Sequence, residues 1–151
     1  MRFGIFLCSQ YHPGDPLDSR LTELLEQAAL ADDLGYETLT LGDHHVVEDA
    51  YFNILVTLGA LAARTRRATI GTAILLLPLY HPIQVAGAAA MADIVSGGRM
   101  ALGVGAGYRR EEFDALGVPY DERLPRLREG IALLRRLWGD ERVRHDGPHW
   151  R

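Results

Sequence analysis

A chain of 151 residues with 48% apolar and 24% charged content fits one ordinary globular domain, which excludes disordered, fibrous and membrane-spanning classes. Its net charge of −4 leaves no basic footprint for nucleic acid. The single cysteine, Cys8, rules out an internal disulfide, fits a reducing compartment and reads as a small buried hydrophobe.

Arg2 is followed by only a short apolar run before Ser9 and Gln10, so no secretory signal is expected. The most apolar stretch, "ATIGTAILLLPLYHPIQVAGAAAMA", is broken by Pro78, His81, Pro82 and Gln84 and does not read as a membrane span. A cytoplasmic protein with no membrane contact is the expectation.

In chain order, "RFGIFLC" reads as a short buried strand from Arg2 to Cys8. A helix follows, with Asp15 as N-cap, Pro16 at its first position, Leu17, Leu21, Leu24, Leu25, Ala28 and Leu34 on one face, and Gly35 as its stop. "ETLTLG" is the second strand, and a second helix runs from about Asn53 to Arg64. "ATIGTAILLLP", apolar on both faces, suits a parallel strand covered by helices. His81–Pro82 opens a third helix ending near Ser96–Gly97; "RMALGVGAG" is strand four and "REEFDAL" a short fourth helix. Leu124, Leu127, Ile131, Leu134 and Trp138 then form one apolar stripe of a long helix, Asp121 to Trp138. "DERVRHDGPHWR" reads as a strand with a turn at Asp146–Gly147.

Four strand–helix alternations imply a parallel α/β sheet, either doubly wound or half of a (β/α)8 barrel, since a whole barrel needs about 250 residues. Both architectures place chemistry at the C-terminal ends of the strands. There the sequence holds "LGDHHV", an acid and two histidines closing an apolar run. Strand parity puts Leu39 and Leu41 on the helix-covered face and Thr38, Thr40, Gly42 and His44 on the other, so His44 points towards a ligand and His45 packs beneath the next helix. Adjacent strand residues face opposite ways, which makes the pair a poor chelator, and "HVVED" lacks the second histidine of a zinc-binding H-x-x-E-H; no metal is expected. "GVGAG", Gly103 to Gly107, has the spacing G-x-G-x-G rather than G-x-G-x-x-G and signals only a close backbone approach, to a ligand or a packed element. Thr72–Ala73 interrupts the large residues of strand three, as a small pair easing packing or as part of a site.

"MRFGIFL", "ADDLGYETLTLGDHHV", "ATIGTAILLLPLYHPIQVA" and "GRMALGVGAGYRREEFDALGVPYDERLPRLREGIALLRRLW", in that order, resemble the N-terminal half of the luciferase-like monooxygenase family. The resemblance implies a (β/α)8 TIM barrel, of which residues 1–151 supply four βα units and one long helix, about four more units being absent. It implies a flavin-dependent oxidoreductase or monooxygenase using FMN, with F420 as the alternative cofactor, a small-molecule substrate and a flavin reductase supplying reduced FMN. His44 matches the family's catalytic histidine, and Asp43, where a luciferase subunit has glutamate, is expected beside it at the cofactor. A non-prolyl cis peptide supporting the cofactor ring maps to Ala73–Ile74, and the loop Gly105–Ala106–Gly107–Tyr108 lies near the cofactor, with Ala106 where that subunit has a phosphate-binding arginine. Half a barrel leaves strands one and four as edges and Ile5, Leu75 and Leu102 uncovered inside, so homo-oligomers are expected; a non-catalytic, self-associating half-barrel is the reading from another class.

Overall fold

The computed structural model describes residues 1–139 and 142–151. Its frame is a four-stranded parallel sheet of β1 (Gly4–Leu7), β3 (Thr38–Leu41), β5 (Thr69–Leu75) and β6 (Met100–Val104), lying side by side in that order. Helices α1 (Leu17–Asp33), α2 (Ile54–Arg64) and α3 (Pro82–Ser96) connect successive strands and pack on one another and on the sheet. A short helix α4 (Arg110–Ala115) and the long α5 (Arg123–Gly139) follow β6. Among the described residues, no helix is long and apolar enough to cross a membrane.

The register explains which face is buried. Ile5, Leu39, Ile70 and Met100 stand opposite one another across the four strands, as do Leu7, Leu41, Thr72 and Leu102. These rows face the helices; Leu7, Leu39, Leu41 and Ile70 are almost wholly buried there with Leu24, Leu58, Leu61 and Val85. The alternate rows, Phe6–Thr40–Gly71–Ala101 among them, form the inner face.

Two expectations change accordingly. Ile5, Leu75 and Leu102 belong to or pack against the core instead of lying uncovered inside. The open face is carried by Phe6 and Ile74, 54% and 39% exposed. Cys8 is exposed, because Leu7 turns to the helices and its neighbour therefore cannot.

Helix boundaries follow their caps. Asn53 accepts the Val56 amide at α2, the His81 ring accepts the Ile83 amide at α3, and Gly97 ends α3 in a left-handed conformation. At α1 the N-cap is Pro16; the Asp15 carboxylate instead accepts the His12 amide at 3.0 Å, one residue too early to cap. In α5 the middle of the stripe is core, with Leu134 buried, whereas Leu124 and Trp138 are each 48% exposed. Residues 140 and 141, where the expected last strand begins, lie outside the described residues; Arg142–Arg151 form no strand. That tail is held by Glu129 of α5, which accepts from His145, the His149 amide and the Trp150 amide. An antiparallel pair, β2 (Gln10–Tyr11) with β4 (Ala50–Tyr51), was not legible in the sequence and ties the loops after β1 and β3 together.

At the N-terminal edge of the sheet, buried Asp32 accepts the amides of Arg66, Arg67 and Ala68, and the Arg99 guanidinium donates to the carbonyls of Ala62, Thr65, Ala68 and Ser96. Burial alone would raise the Asp32 pKa, but the Ala68, Arg66 and Arg67 amides outweigh it and hold the group below 3.8. A depressed acid stabilises the fold fully above its unfolded value and loses that contribution as pH falls through the folded value. Asp32→Ala should therefore cost at least about 2 kcal/mol in urea unfolding at neutral pH, because buried donors lose their acceptor. The gap from the parent should narrow once the pH drops below 3.8; a gap unchanged with pH would show that the carboxylate is not what holds the loop.

Candidate active site

The opposite, C-terminal edge of the sheet opens into a cavity of about 400 Å³. Its floor and walls are Phe6, Gly42, Asp43, His44, Tyr51, Ala73, Ile74, Leu76, Ala106, Gly107 and Tyr108. Five segments converge here: β1 with Phe6, the end of β3, β4 with Tyr51, the end of β5 and the connection from β6 to α4.

β5 and β6 are in register up to Thr72–Leu102 and resume at Leu75–Val104. The irregularity turns Ala73 and Ile74 to the open face, and their peptide bond is cis, where the resemblance placed it. Two glycines of "GVGAG", Gly103 and Gly105, are required by this neighbour. A Cβ on Gly103 would sit 2.3 Å from the Thr72 carbonyl oxygen, and one on Gly105 1.9 Å from Ile74 Cδ1. Gly105 is bonded through its amide to the Leu75 carbonyl and stands behind the cavity wall formed by Ala106, Gly107 and Tyr108.

Both histidines are held by buried carboxyl groups. His44 Nδ1 lies 2.9 Å from Glu112 Oε1, and the same oxygen accepts the His45 amide at 2.8 Å. Asp43 Oδ2 accepts the Leu76 amide at 3.0 Å and Oδ1 the Tyr80 hydroxyl at 2.9 Å. Asp43 thus lines the cavity with its carboxylate already engaged by the protein. The His45 ring is not packed among leucines beneath a helix: its Nε2 is 3.0 Å from the Tyr80 oxygen and 3.3 Å from Asp43 Oδ1. Burial, then the charge and hydrogen bond of Asp43, push the Tyr80 hydroxyl well above its ordinary value, so it stays a neutral donor. Its one hydrogen goes to Asp43, and its oxygen accepts from His45 Nε2–H.

The sequence reading did not single out Glu112, Tyr51, Tyr80 or Arg109. Arg109 borders a second, polar recess with His44, Tyr51, Tyr108, Glu48 and Asp49, and its Nε is buried without a partner. Val46, next after the histidines, has φ 51°, an unusual conformation for a β-branched residue. An apolar groove of about 420 Å³ between α3, β6 and α5 is comparable in size, but its acid, Asp93, is bonded to the Met100 amide. Among the described residues, no three His, Cys, Asp or Glu side chains are grouped to hold a metal.

A parallel strand–helix sheet that gathers its polar side chains at the strand C-termini is the build of a (β/α)8-barrel protein. Residues 1–151 match the family described as luciferase-like monooxygenase, and the chain belongs to it. It is 30% identical, over 99% of its length and 42% of the relative's, to the oxygenase component of flavin-dependent trigonelline monooxygenase from Acinetobacter baylyi. It is 38% identical, over 85% of its length and 40% of the relative's, to F420-dependent glucose-6-phosphate dehydrogenase from Microbacterium testaceum. The crystal structure of monooxygenase RslO1 from Streptomyces bottropensis superposes with a TM-score of 0.88 at 35% identity, covering 97% of this chain and 46% of that one. The chain spans less than half the length of these relatives, whose names include both flavin and F420 dependence.

The His45 pKa is raised chiefly by its hydrogen bond to Asp43, against the opposing effect of burial. A raised histidine stabilises the fold fully below 6.5 and loses that contribution as pH rises through the folded value. The melting-temperature gap between the parent and His45→Gln should therefore be widest below pH 6.5 and shrink in alkaline buffer; a gap that widens with pH would contradict the pairing.

Proposed function

We propose that this chain carries the proton-handling side of a flavin-dependent oxidoreductase or monooxygenase, with FMN as cofactor, F420 as the alternative, and a small-molecule substrate. The observation that carries the reading is the convergence of His44, Ala73–Ile74 and Ala106–Tyr108 on one cavity. The lining fits a flat ring system: Ala73, Ile74 and Leu76 offer an apolar shelf, Phe6, Tyr51 and Tyr108 aromatic sides, and His44 a polar edge. Arg109, whose buried Nε has no partner among the described residues, offers charge to an anionic group in the adjoining recess, beside Glu48 and Asp49.

A bound flavin or deazaflavin supplies the electron chemistry. The residues of this chain orient the ring and keep water from it, and His44 Nε2 takes or returns a proton at the reacting atoms, as a histidine can near neutral pH. An oxygenase of this kind needs reduced FMN from a separate flavin reductase; the relative named as an oxygenase component supports that arrangement.

Turnover is to be measured on the enzyme that carries this chain. His44→Ala should lower kcat by about 10²–10⁴-fold, the usual worth of general acid–base help, while cofactor affinity changes little. His45→Ala should mainly lower the melting temperature. Equal activity losses, or normal kcat in His44→Ala, would mean that both histidines are structural.

A second reading rests on the open inner face. Phe6 and Ile74 are exposed there, and β1 and β6 have unpaired edges in the sheet. Such edges and apolar surface favour pairing with another copy, as in a self-associating half-barrel without turnover. Light scattering of the 151-residue chain at micromolar concentration should show a dimer or larger species; a monodisperse monomer would contradict it.

A further inference from the structure

We propose that Glu112 is the positioning residue for His44: it fixes the imidazole with its hydrogen on Nδ1 and thereby presents Nε2 to the cavity as the proton acceptor. The inference rests on the reading that His44 handles the proton.

Glu112 is fully buried on α4, and its Oε1 receives two contacts from the loop after β3, the His45 amide at 2.8 Å and His44 Nδ1 at 2.9 Å. The amide can only donate, so Oε1 is an acceptor, and the imidazole contact is completed by a hydrogen on Nδ1. A neutral imidazole has one ring hydrogen, which leaves the lone pair on Nε2. Nε2 has no hydrogen-bond partner among the described residues. Two aromatic rings stand beside the imidazole, Tyr51 at 5.2 Å and Tyr108 at 6.1 Å between centroids. These restrict the ring plane but do not choose a tautomer. Glu112 is the hydrogen-bonding partner that does, in the way that a carboxylate behind a catalytic or metal-bound histidine sets which nitrogen faces the chemistry. The same oxygen braces the backbone at His45, so ring and loop are fixed by one atom.

The test is nitrogen-15 NMR of the imidazole side chains of the full chain, at a pH where His44 is neutral, with Glu112→Met and Glu112→Gln. In the parent, Nδ1 should show the shift of a protonated ring nitrogen and Nε2 that of an unprotonated one. Glu112→Met removes the acceptor at similar bulk, and His44 should move towards the Nε2–H tautomer. Glu112→Gln keeps an oxygen in place and should restore Nδ1–H. A parent already in the Nε2–H form, or a tautomer unmoved by Glu112→Met, would overturn the proposal. If Glu112→Met does not fold, the parent spectrum still decides it. A purely structural brace would leave the tautomer unchanged. The readout needs no cofactor or substrate, so its failure removes the role of Glu112 and leaves that of His44 to the kinetics of His44→Ala.

Discussion

The site depends on the cost of burying a carboxyl group. A buried acid is tolerated only where hydrogen-bond donors meet it, and the two acids at the C-terminal edge of the sheet take theirs from the same short segment and its neighbours. Glu112 receives its donors from His44 and His45. Asp43 receives its own from the end of β5 and from Tyr80. The loop leaving β3 is thereby held between α4 on one side and the β5 exit on the other. Those bonds, with the Tyr51 and Tyr108 rings beside the imidazole, set the direction in which His44 points.

The two edges of the sheet divide the work. At the N-terminal edge, Asp32 and Arg99 satisfy the amides and carbonyls between α2 and β5 and leave no reactive group free. At the C-terminal edge, the buried Arg109 Nε and one oxygen of Glu112 remain without partners among the described residues. Satisfied polar groups at one end and unsatisfied ones at the other are what a barrel scaffold with chemistry on one face requires.

Much of this was legible in the chain itself. Leu39 and Leu41 alternate with Thr38 and Thr40, as the register shows; pairing ends at Leu41, and beyond it Asp43 and His44 line the same cavity, so parity no longer separates them. Parity failed where alternation is absent. "RFGIFLC" is apolar on both faces, and only pairing of Ile5 and Leu7 with Leu39 and Leu41 decides that Cys8 is exposed. In β5 the irregularity at Ala73–Ile74 shifts the count, which carries Leu75 into the core. Glu112 was hidden for another reason. Two adjacent glutamates on a helix of six residues give no periodic signal, and the partner lies 68 positions away. The family resemblance pointed to Asp43, Ala73–Ile74 and the Ala106–Tyr108 wall but was silent on Glu112 behind His44.

The central claim is that a flavin or deazaflavin ring sits against the strand ends, on the shelf of Ala73, Ile74 and Leu76. Backbone amide shifts of the labelled chain, followed by NMR while FMN and then F420 are added, test it most directly. The account predicts shifts concentrated at residues 42–44, 73–76 and 106–108 for whichever cofactor binds. Shifts confined to the groove between α3 and α5, around Ala89 and Trp138, or no shifts with either cofactor, would contradict it.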